Sequence, residues 1–372
     1  LQSNALSAGA ATVGRRNLIG LSAKELEAFF RELDEKPFRA RQLLAWIYRR
    51  HAVDFDGMTD ISLLLRQRLA QVATLALPNV VADRRSADGT RKWLVDIGGG
   101  QAVECVYIPE PNRATLCISS QAGCAMDCSF CATGQQGFNR NLDAAEILGQ
   151  VLLAQRALGP DVALTNIVFM GMGEPLANYR NVIPVVNLLT DDCAFGLSRR
   201  RVTISTAGLV PQIRKLSKDC NVALAVSLHA ANDRLRDELV PINRRHPIAE
   251  LLEACWHYAR CLASRQITFE YAMLRDVNDG IADARALARL LRDRPAKVNL
   301  IPFNPFPGTR YACSSADVMD AFCTELWNRG VVATIRRTRG EDIAAACGQL
   351  AGQIRDRTSS RLGSKHSRAG HS

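Results

Sequence analysis

Three cysteines stand on one short segment, Cys124-Ala-Met-Asp-Cys128-Ser-Phe-Cys131, in the spacing C-x3-C-x2-C. Each thiolate can bind a different iron of a four-iron, four-sulfur (4Fe–4S) cluster, which leaves the fourth iron open for a non-protein ligand. An open iron is a place for chemistry. A zinc ion would want a fourth Cys or His close by, and this segment offers none; unligated core cysteines are the plainer alternative. Further candidates sit where strands should end: Gly173 and Glu174 in Gly171-Met172-Gly173-Glu174-Pro175, then Ser205, then Ser227-Leu228-His229, then Asn304 in a Pro-rich loop. Alone, a Ser there is a cap residue, a His near a core strand is structural, and Asn beside Pro is ordinary turn chemistry. Their ordered recurrence on successive strands gives them weight.

Something must position these residues. The chain has 372 residues, 47% hydrophobic and 23% charged, which fits one large α/β unit with an accessory domain and excludes disorder throughout. No run approaches the roughly 18 apolar residues of a membrane span. Twelve cysteines are too few for a disulfide scaffold of this length. The net charge of +10 suggests a polyanionic partner. The start at Leu1 lacks Met and reads as a processed or artificial end, with residues 1–20 expected to be disordered. It has no secretory pattern, so a reducing cytoplasm is expected. Residues 355–372 read as a flexible basic tail that carries +4 of the charge.

Helical periodicity runs over residues 22–71, with Leu26, Phe29, Phe30 and Leu33 on one face and Ser22 and Glu25 as a capping box. Seven arginines lie among these apolar faces, so a small helical domain over 21–90 is expected, with RNA contact as its candidate role and a solvated face as the alternative. After about Thr90 strands take over, beginning with 92–97 and 102–108 around Gly98-Gly99-Gly100. Strands at 115–119, 165–170, 201–205, 222–228, 266–271, 297–301 and 331–335 then alternate with helices at 143–158, 248–262, 283–292 and 315–329. That alternation predicts a parallel sheet, open or closed toward a barrel, with chemistry at the carboxyl ends of its strands.

The cysteine triplet resembles that of the radical S-adenosylmethionine (SAM) superfamily, which also commonly carries an aromatic residue where Phe130 stands. The resemblance implies an α/β fold built as a partial, open parallel β/α barrel, here over 91–354 behind the helical domain. It implies a 4Fe–4S cluster on Cys124, Cys128 and Cys131, with SAM on the open iron and a 5′-deoxyadenosyl radical formed by its reductive cleavage. SAM contacts would come from Gly173, Glu174, Ser205, Ser227, Leu228, His229 and Asn304. A carboxylate at Glu174 suits the SAM ammonium beside a buried cluster.

Four separated segments carry a closer resemblance. Thr115-Leu-Cys117-Ile-Ser-Ser-Gln-Ala-Gly-Cys124, Gln136-Gly-Phe-Asn-Arg-Asn-Leu142, residues 171–176 and Ala344-Ala-Ala-Cys347-Gly-Gln-Leu350 resemble the RlmN family in order and spacing. Those enzymes methylate carbon-2 of adenine in 23S ribosomal RNA and transfer RNA. By resemblance, Cys347 takes a methyl group from one SAM, a second SAM supplies the radical that activates it, Cys117 resolves the protein–RNA adduct through a transient disulfide, and Glu104 removes the ring proton. Taken alone, Cys117 and Cys347 would be small buried hydrophobes and Glu104 a polar strand position. The family also implies an external electron donor such as flavodoxin, no membrane partner, and a monomer. The other seven cysteines, Cys105, Cys193, Cys220, Cys255, Cys261, Cys313 and Cys323, receive no role beyond packing.

Three alternatives remain at this level. A Cfr-like enzyme would methylate carbon-8, but Gln135 to Arg140 and Pro175 favour the carbon-2 family. A glycyl-radical activating enzyme has no use for the Cys117 and Cys347 pair. An electron carrier would close its cluster with a fourth cysteine. Paired arginines at 199–201, 244–245 and 336–337 are further RNA-contact candidates.

Overall fold

Ser22 starts the first helix reciprocally: its hydroxyl accepts from the Glu25 amide while the Glu25 carboxylate accepts from the Ser22 amide, which satisfies two donors that a helix end leaves free. This is a computed structural model, and it describes residues 14–262 and 266–354. The readings of the first 13 residues and of the tail 355–372 lie outside the described residues. Helices α1 (Ala23–Glu32), α2 (Arg39–Leu44), its π-helical continuation Ala45–Arg49, and α3 (Leu63–Val72) bury Leu26, Phe30, Leu43, Ile47 and Leu69 against one another. Short strands β1 (Arg16–Asn17) and β2 (Ala73–Thr74) pair in parallel and tie the two ends of this unit together. Its Tyr48 hydroxyl accepts from the Gly20 amide at 2.8 Å, and its ring packs 5.0 Å from that of Phe195 in the following unit.

The sheet begins earlier than the expected change near Thr90. Strand β3 (Val80–Arg85) already pairs antiparallel with β4 (Arg91–Asp96). It is an exposed edge strand carrying Asp83, Arg84 and Arg85, so it lacks the apolar alternation that marks a half-buried strand in sequence. Next come β5 (Ala102–Glu110) and β6 (Arg113–Cys117), then a small separate hairpin of β7 (Gln121–Gly123) and β8 (Phe138–Asn141). The parallel strands β9 (Asn166–Phe169), β10 (Val202–Thr206), β11 (Ala223–Ser227), β12 (Ile267–Met273), β13 (Ala296–Pro302) and β14 (Val332–Ile335) lie within one or two residues of the expected core positions.

Among the described residues, ten strands form one sheet in the order β3-β4-β5-β6-β9-β10-β11-β12-β13-β14. From β6 onward every neighbouring pair is parallel. The two ends of the order, β3 and β14, do not pair, so the barrel stays open. Helices α4 (Ala132–Gln135), α5 (Ala144–Leu158), α6 (Tyr179–Thr190), α7 (Val210–Asp219), α8 (Asp233–Leu239), α9 (Ile248–Ala259), α10 (Ile281–Leu291) and α11 (Ala316–Asn328) complete the unit. Of these, α4, α6, α7 and α8 were not expected: α4 is a single four-residue turn, α6 carries Pro184 in its interior, α7 has a proline in its first turn, and α8 is a seven-residue, mostly charged helix.

Arg236 on α8 is fully buried and fixes the carboxyl ends of β10 and β11. Its guanidinium donates to the carbonyls of Leu228, Ala207 and Ser227 and to Asn243 Oδ1, all within 3.1 Å. Burial pulls its pKa down to about 10, so the group stays charged at neutral pH. Each buried acceptor left without a partner costs about 1–3 kcal/mol. Arg236→Met should therefore lower the unfolding free energy by at least ~3 kcal/mol in a denaturant titration; an unchanged midpoint would show that these loop ends hold themselves.

Candidate active site

At the carboxyl end of β6 the chain turns into β7 and then into the cysteine loop. Gly123 sits at φ +77°, and a Cβ there would lie 2.1 Å from the Gly137 carbonyl oxygen, so only glycine permits this approach of β7 to β8. The Cys124 amide donates to that same carbonyl at 2.7 Å, and Cys131 to the Cys128 carbonyl at 3.1 Å. The three cysteines share the wall of a cavity of about 160 Å³ with Glu174, Ser205, Ser227, His229 and Asn304. The structure thus brings the scattered strand-end residues to one place.

Burial pushes the Cys124 thiol up to about 12 and raises Cys128 and Cys131 as well, and mutual repulsion among the three sulfurs adds to it. Three thiolates here require positive charge between them, which a cluster supplies. Among the described residues, no group of three His, Cys, Asp or Glu side chains converges on a point that could hold a single metal ion. A cluster makes no such demand, because it takes each thiolate on a different iron. Three thiolates with no fourth Cys or His on the segment are a donor set that fits a 4Fe–4S cluster better than zinc.

Gly173 at φ +97° leaves no room for a side chain, since a Cβ would meet the Gln121 Cβ at 2.4 Å. That close approach aims Glu174 inward. The Glu174 carboxylate accepts from the Leu176 amide at 3.0 Å and the Ala207 amide at 2.7 Å, and burial raises its pKa to about 7. His229 has φ +58° and is held by its Nδ1, which accepts from the Ala272 amide at 2.9 Å; burial lowers its pKa to about 3, so the ring is neutral. Its ring lies 4.4 Å from that of Phe130, which links strand β11 to the cysteine loop. Leu228 is fully buried and does not line this cavity; its carbonyl receives Arg236.

A second cavity of about 420 Å³ occupies the lumen of the open barrel. Cys117 lines it, and Cys347 lines both cavities, as do Met170, Glu270, Asn304 and Arg336. Arg336 is held above its usual pKa first by the Cys347 sulfur, then by Glu270 and Cys117. Burial drives the Cys117 thiol up to about 12, against which Arg336 acts. All twelve cysteines are free thiols.

Glu104 lines neither cavity. Its Oε1 pairs with Lys92 Nζ at 2.9 Å and its Oε2 accepts from the Ala351 amide at 3.0 Å. Lys92 Nζ also donates to the Ala344 carbonyl at 2.8 Å. One buried ion pair thus grips both ends of the segment that carries Cys347. The middle is fastened to the cysteine loop, where the Ala132 amide donates to the Gly348 carbonyl and Thr133 Oγ1 to the Leu350 carbonyl. Ala344 itself takes φ +51°, a conformation costing a non-glycine residue roughly 1–2 kcal/mol, so the Lys92 bond holds a strained turn.

Sequence reading missed Lys92, Glu270 and the cysteine-flanking role of Arg336. Lys92 gave no local sign, because its partners lie at Glu104 and more than 250 positions away at Ala344. Glu270 did give one: with Thr268 it places polar side chains at alternate positions of an otherwise apolar strand, where they face the lumen.

An open parallel β/α barrel with three cysteines on the loop after its first parallel strand defines a radical SAM enzyme, and the superfamily model matches residues 118–288. The ribosomal RNA large subunit methyltransferase N-terminal domain matches residues 16–75, which is the helical unit. Over 343 residues the chain is 56% identical to the dual-specificity RNA methyltransferase RlmN of Alkalilimnicola ehrlichii, covering 92% of this chain and 95% of that protein. The crystal structure of a radical SAM methyltransferase from Sphaerobacter thermophilus superposes with a TM-score of 0.85 at 45% identity, over 90% of this chain and 99% of that one. The chain belongs to the RlmN family.

The grip of Lys92 has a direct consequence. Removing one partner of a buried ion pair leaves the other unpaired, at a cost of roughly 3–5 kcal/mol. Lys92→Met should therefore speed amide hydrogen exchange across residues 344–351 by at least tenfold while the β9 to β13 amides stay protected. Unchanged protection in that segment would show that the ion pair does not hold it.

Proposed function

We propose that the chain methylates carbon-2 of adenine in 23S ribosomal RNA and transfer RNA, using two SAM molecules per turnover. The observation that carries this reading is Cys347, whose position in the wall of both cavities lets one sulfur serve the cluster side and the lumen side in turn. Carbon-2 bears a nonacidic hydrogen on an electrophilic ring, so a methyl cation equivalent cannot be delivered to it directly. The chemistry that a cluster with SAM supplies is removal of an unactivated hydrogen atom.

The chain's own residues account for the remainder. Cys124, Cys128 and Cys131 would hold the cluster; Glu174 would receive the SAM ammonium, with Gly173, Ser205, Ser227, His229 and Asn304 around the cofactor and Leu228, which lines neither cavity, behind them. Cys347 sulfur bonds to the methyl group of the first SAM as the sulfonium–carbon bond breaks and S-adenosylhomocysteine leaves. Once that methyl has lost a hydrogen, its carbon bonds to carbon-2. Glu104 takes the ring proton, and the odd electron left by the radical addition would pass back to the cluster; Cys117 then attacks the Cys347 sulfur, a sulfur–sulfur bond replaces the sulfur–carbon bond, and the released carbon leaves with the electron pair and takes up a proton. Glu104 lies under the Cys347 segment, so that segment must lift before the carboxylate can reach the base. A target adenine would be flipped out of its RNA to enter the lumen, with the helical unit's arginines as candidates for backbone contact. We assign the chain to the cytoplasm, where such thiols stay reduced, and expect a monomer served by an external electron donor such as flavodoxin.

The carbon-8 reading is less well supported, since Gln135 to Arg140 and Pro175 follow the carbon-2 pattern. In anaerobic assays with reductant, SAM and unmodified RNA, mass spectrometry of digested RNA should show 2-methyladenosine. Cys347→Ala should leave the iron–sulfur absorbance intact and abolish both protein and RNA methylation. Cys117→Ala should still methylate Cys347 and then accumulate RNA covalently bound to the protein. Full RNA methylation by Cys347→Ala, or 8-methyladenosine as the product, would overturn the reading.

A further inference from the structure

Glu270 is 4% exposed, stands on β12 and lines both cavities. Among the described residues only one of its carboxylate oxygens is engaged: Oε1 accepts from Asn299 Nδ2 at 3.1 Å, whereas Oε2 is buried with no hydrogen-bond partner among them. The engaged oxygen is held by a relay across the sheet. Thr334 Oγ1 donates to Asn299 Oδ1 at 2.9 Å, which fixes the orientation of that amide and so directs its Nδ2 to Glu270. The three residues form one register row, with Glu270 opposite Asn299 and Asn299 opposite Thr334. A buried polar atom without a partner costs about 1–3 kcal/mol, and more when charged, so one that is held this firmly needs a partner from outside the chain.

The partner must donate a hydrogen bond inside a lumen of about 420 Å³, within the size range of small-molecule sites. The Cys347 sulfur lines the same lumen, so the group that enters is the one to be methylated. Adenine offers a single kind of hydrogen-bond donor, its exocyclic amino group, while its ring nitrogens only accept. Those acceptors would face Lys297 and Arg336, the cations of the same wall. We propose that Glu270 is the residue that selects adenine, its free Oε2 accepting from the exocyclic amino group of the target base. This rests on the adenine-methylating function proposed above, and it adds the residue that reads the base.

The test uses the full chain, with its cluster reconstituted, and two transfer RNAs that differ at the methylated position, one with adenosine and one with purine riboside, which lacks the amino group. A hydrogen bond to a charged group is worth about 1.5–3 kcal/mol, so the wild type should prefer adenosine by roughly 10- to 150-fold in kcat/KM. In Glu270→Leu, which replaces the carboxylate with an apolar group of similar size, that preference should fall toward one. Glu270→Gln retains an acceptor oxygen and should keep part of it. Each preference is a ratio within one variant, so loss of folded enzyme cancels, and the intrinsic reactivity of the altered ring cancels between variants. A preference in Glu270→Leu equal to that of the wild type overturns the proposal. So does a variant that already fails to methylate Cys347 in the absence of RNA, because that places Glu270 at SAM instead of the base. If the wild type methylates Cys347 but neither RNA, the function reading fails and the proposal falls with it.

Discussion

The buried pair of Lys92 and Glu104 decides where Cys347 stands. Both side chains come from the antiparallel extension of the sheet, yet the groups they hold, the Ala344 carbonyl and the Ala351 amide, bracket a segment near the far end of the chain. Such a pair gains little net stability over an apolar replacement, but losing one partner is expensive. Its value here is positional. It ties the strained turn at Ala344 to a rigid strand and sets the Cys347 sulfur at the boundary between two cavities. The same pair also holds the carboxylate that the proposed mechanism uses as a base, so in that mechanism freeing the base and freeing the cysteine are one event.

Around that boundary the chain has arranged charge in a place that disfavours it. Burial raises the thiols of Cys117, Cys124, Cys128 and Cys131 and the carboxyls of Glu174 and Glu270. Arg336 is the positive group shared by both cavities, and Arg236 lies behind the cluster side with its own partners satisfied by backbone carbonyls. Strongly perturbed groups gathered in one cleft are what reactive sites look like electrostatically. The cavity side of the barrel is therefore primed for positively charged and hydrogen-donating ligands, while its outer faces remain ordinary helix packing.

What could be read from sequence was whatever is local. The cysteine triplet, the capping box at Ser22 and the core strands β9 to β13 declare themselves within a few residues, because spacing and alternation encode them directly. The exposed strand β3 did not, since pairing with β4 and not burial makes it a strand. Helices α6 and α7 were hidden by their prolines, which are tolerated at Pro184 and in the first turn of α7. The site was legible as a list of residues at strand ends but not as two cavities. The row Glu270–Asn299–Thr334 depends on the register between strands, and the Lys92 grip depends on a contact spanning most of the chain. Neither register nor long-range contact is written in any one segment.

The central claim is that the transferred carbon first rests on Cys347 and gives up a hydrogen there. SAM with a fully deuterated methyl group tests it directly. Methyladenosine should retain two of the three deuteriums, its third position filled by a proton, and 5′-deoxyadenosine should carry one deuterium. Methyladenosine with all three deuteriums and unlabelled 5′-deoxyadenosine would contradict it, because the methyl would then have moved intact.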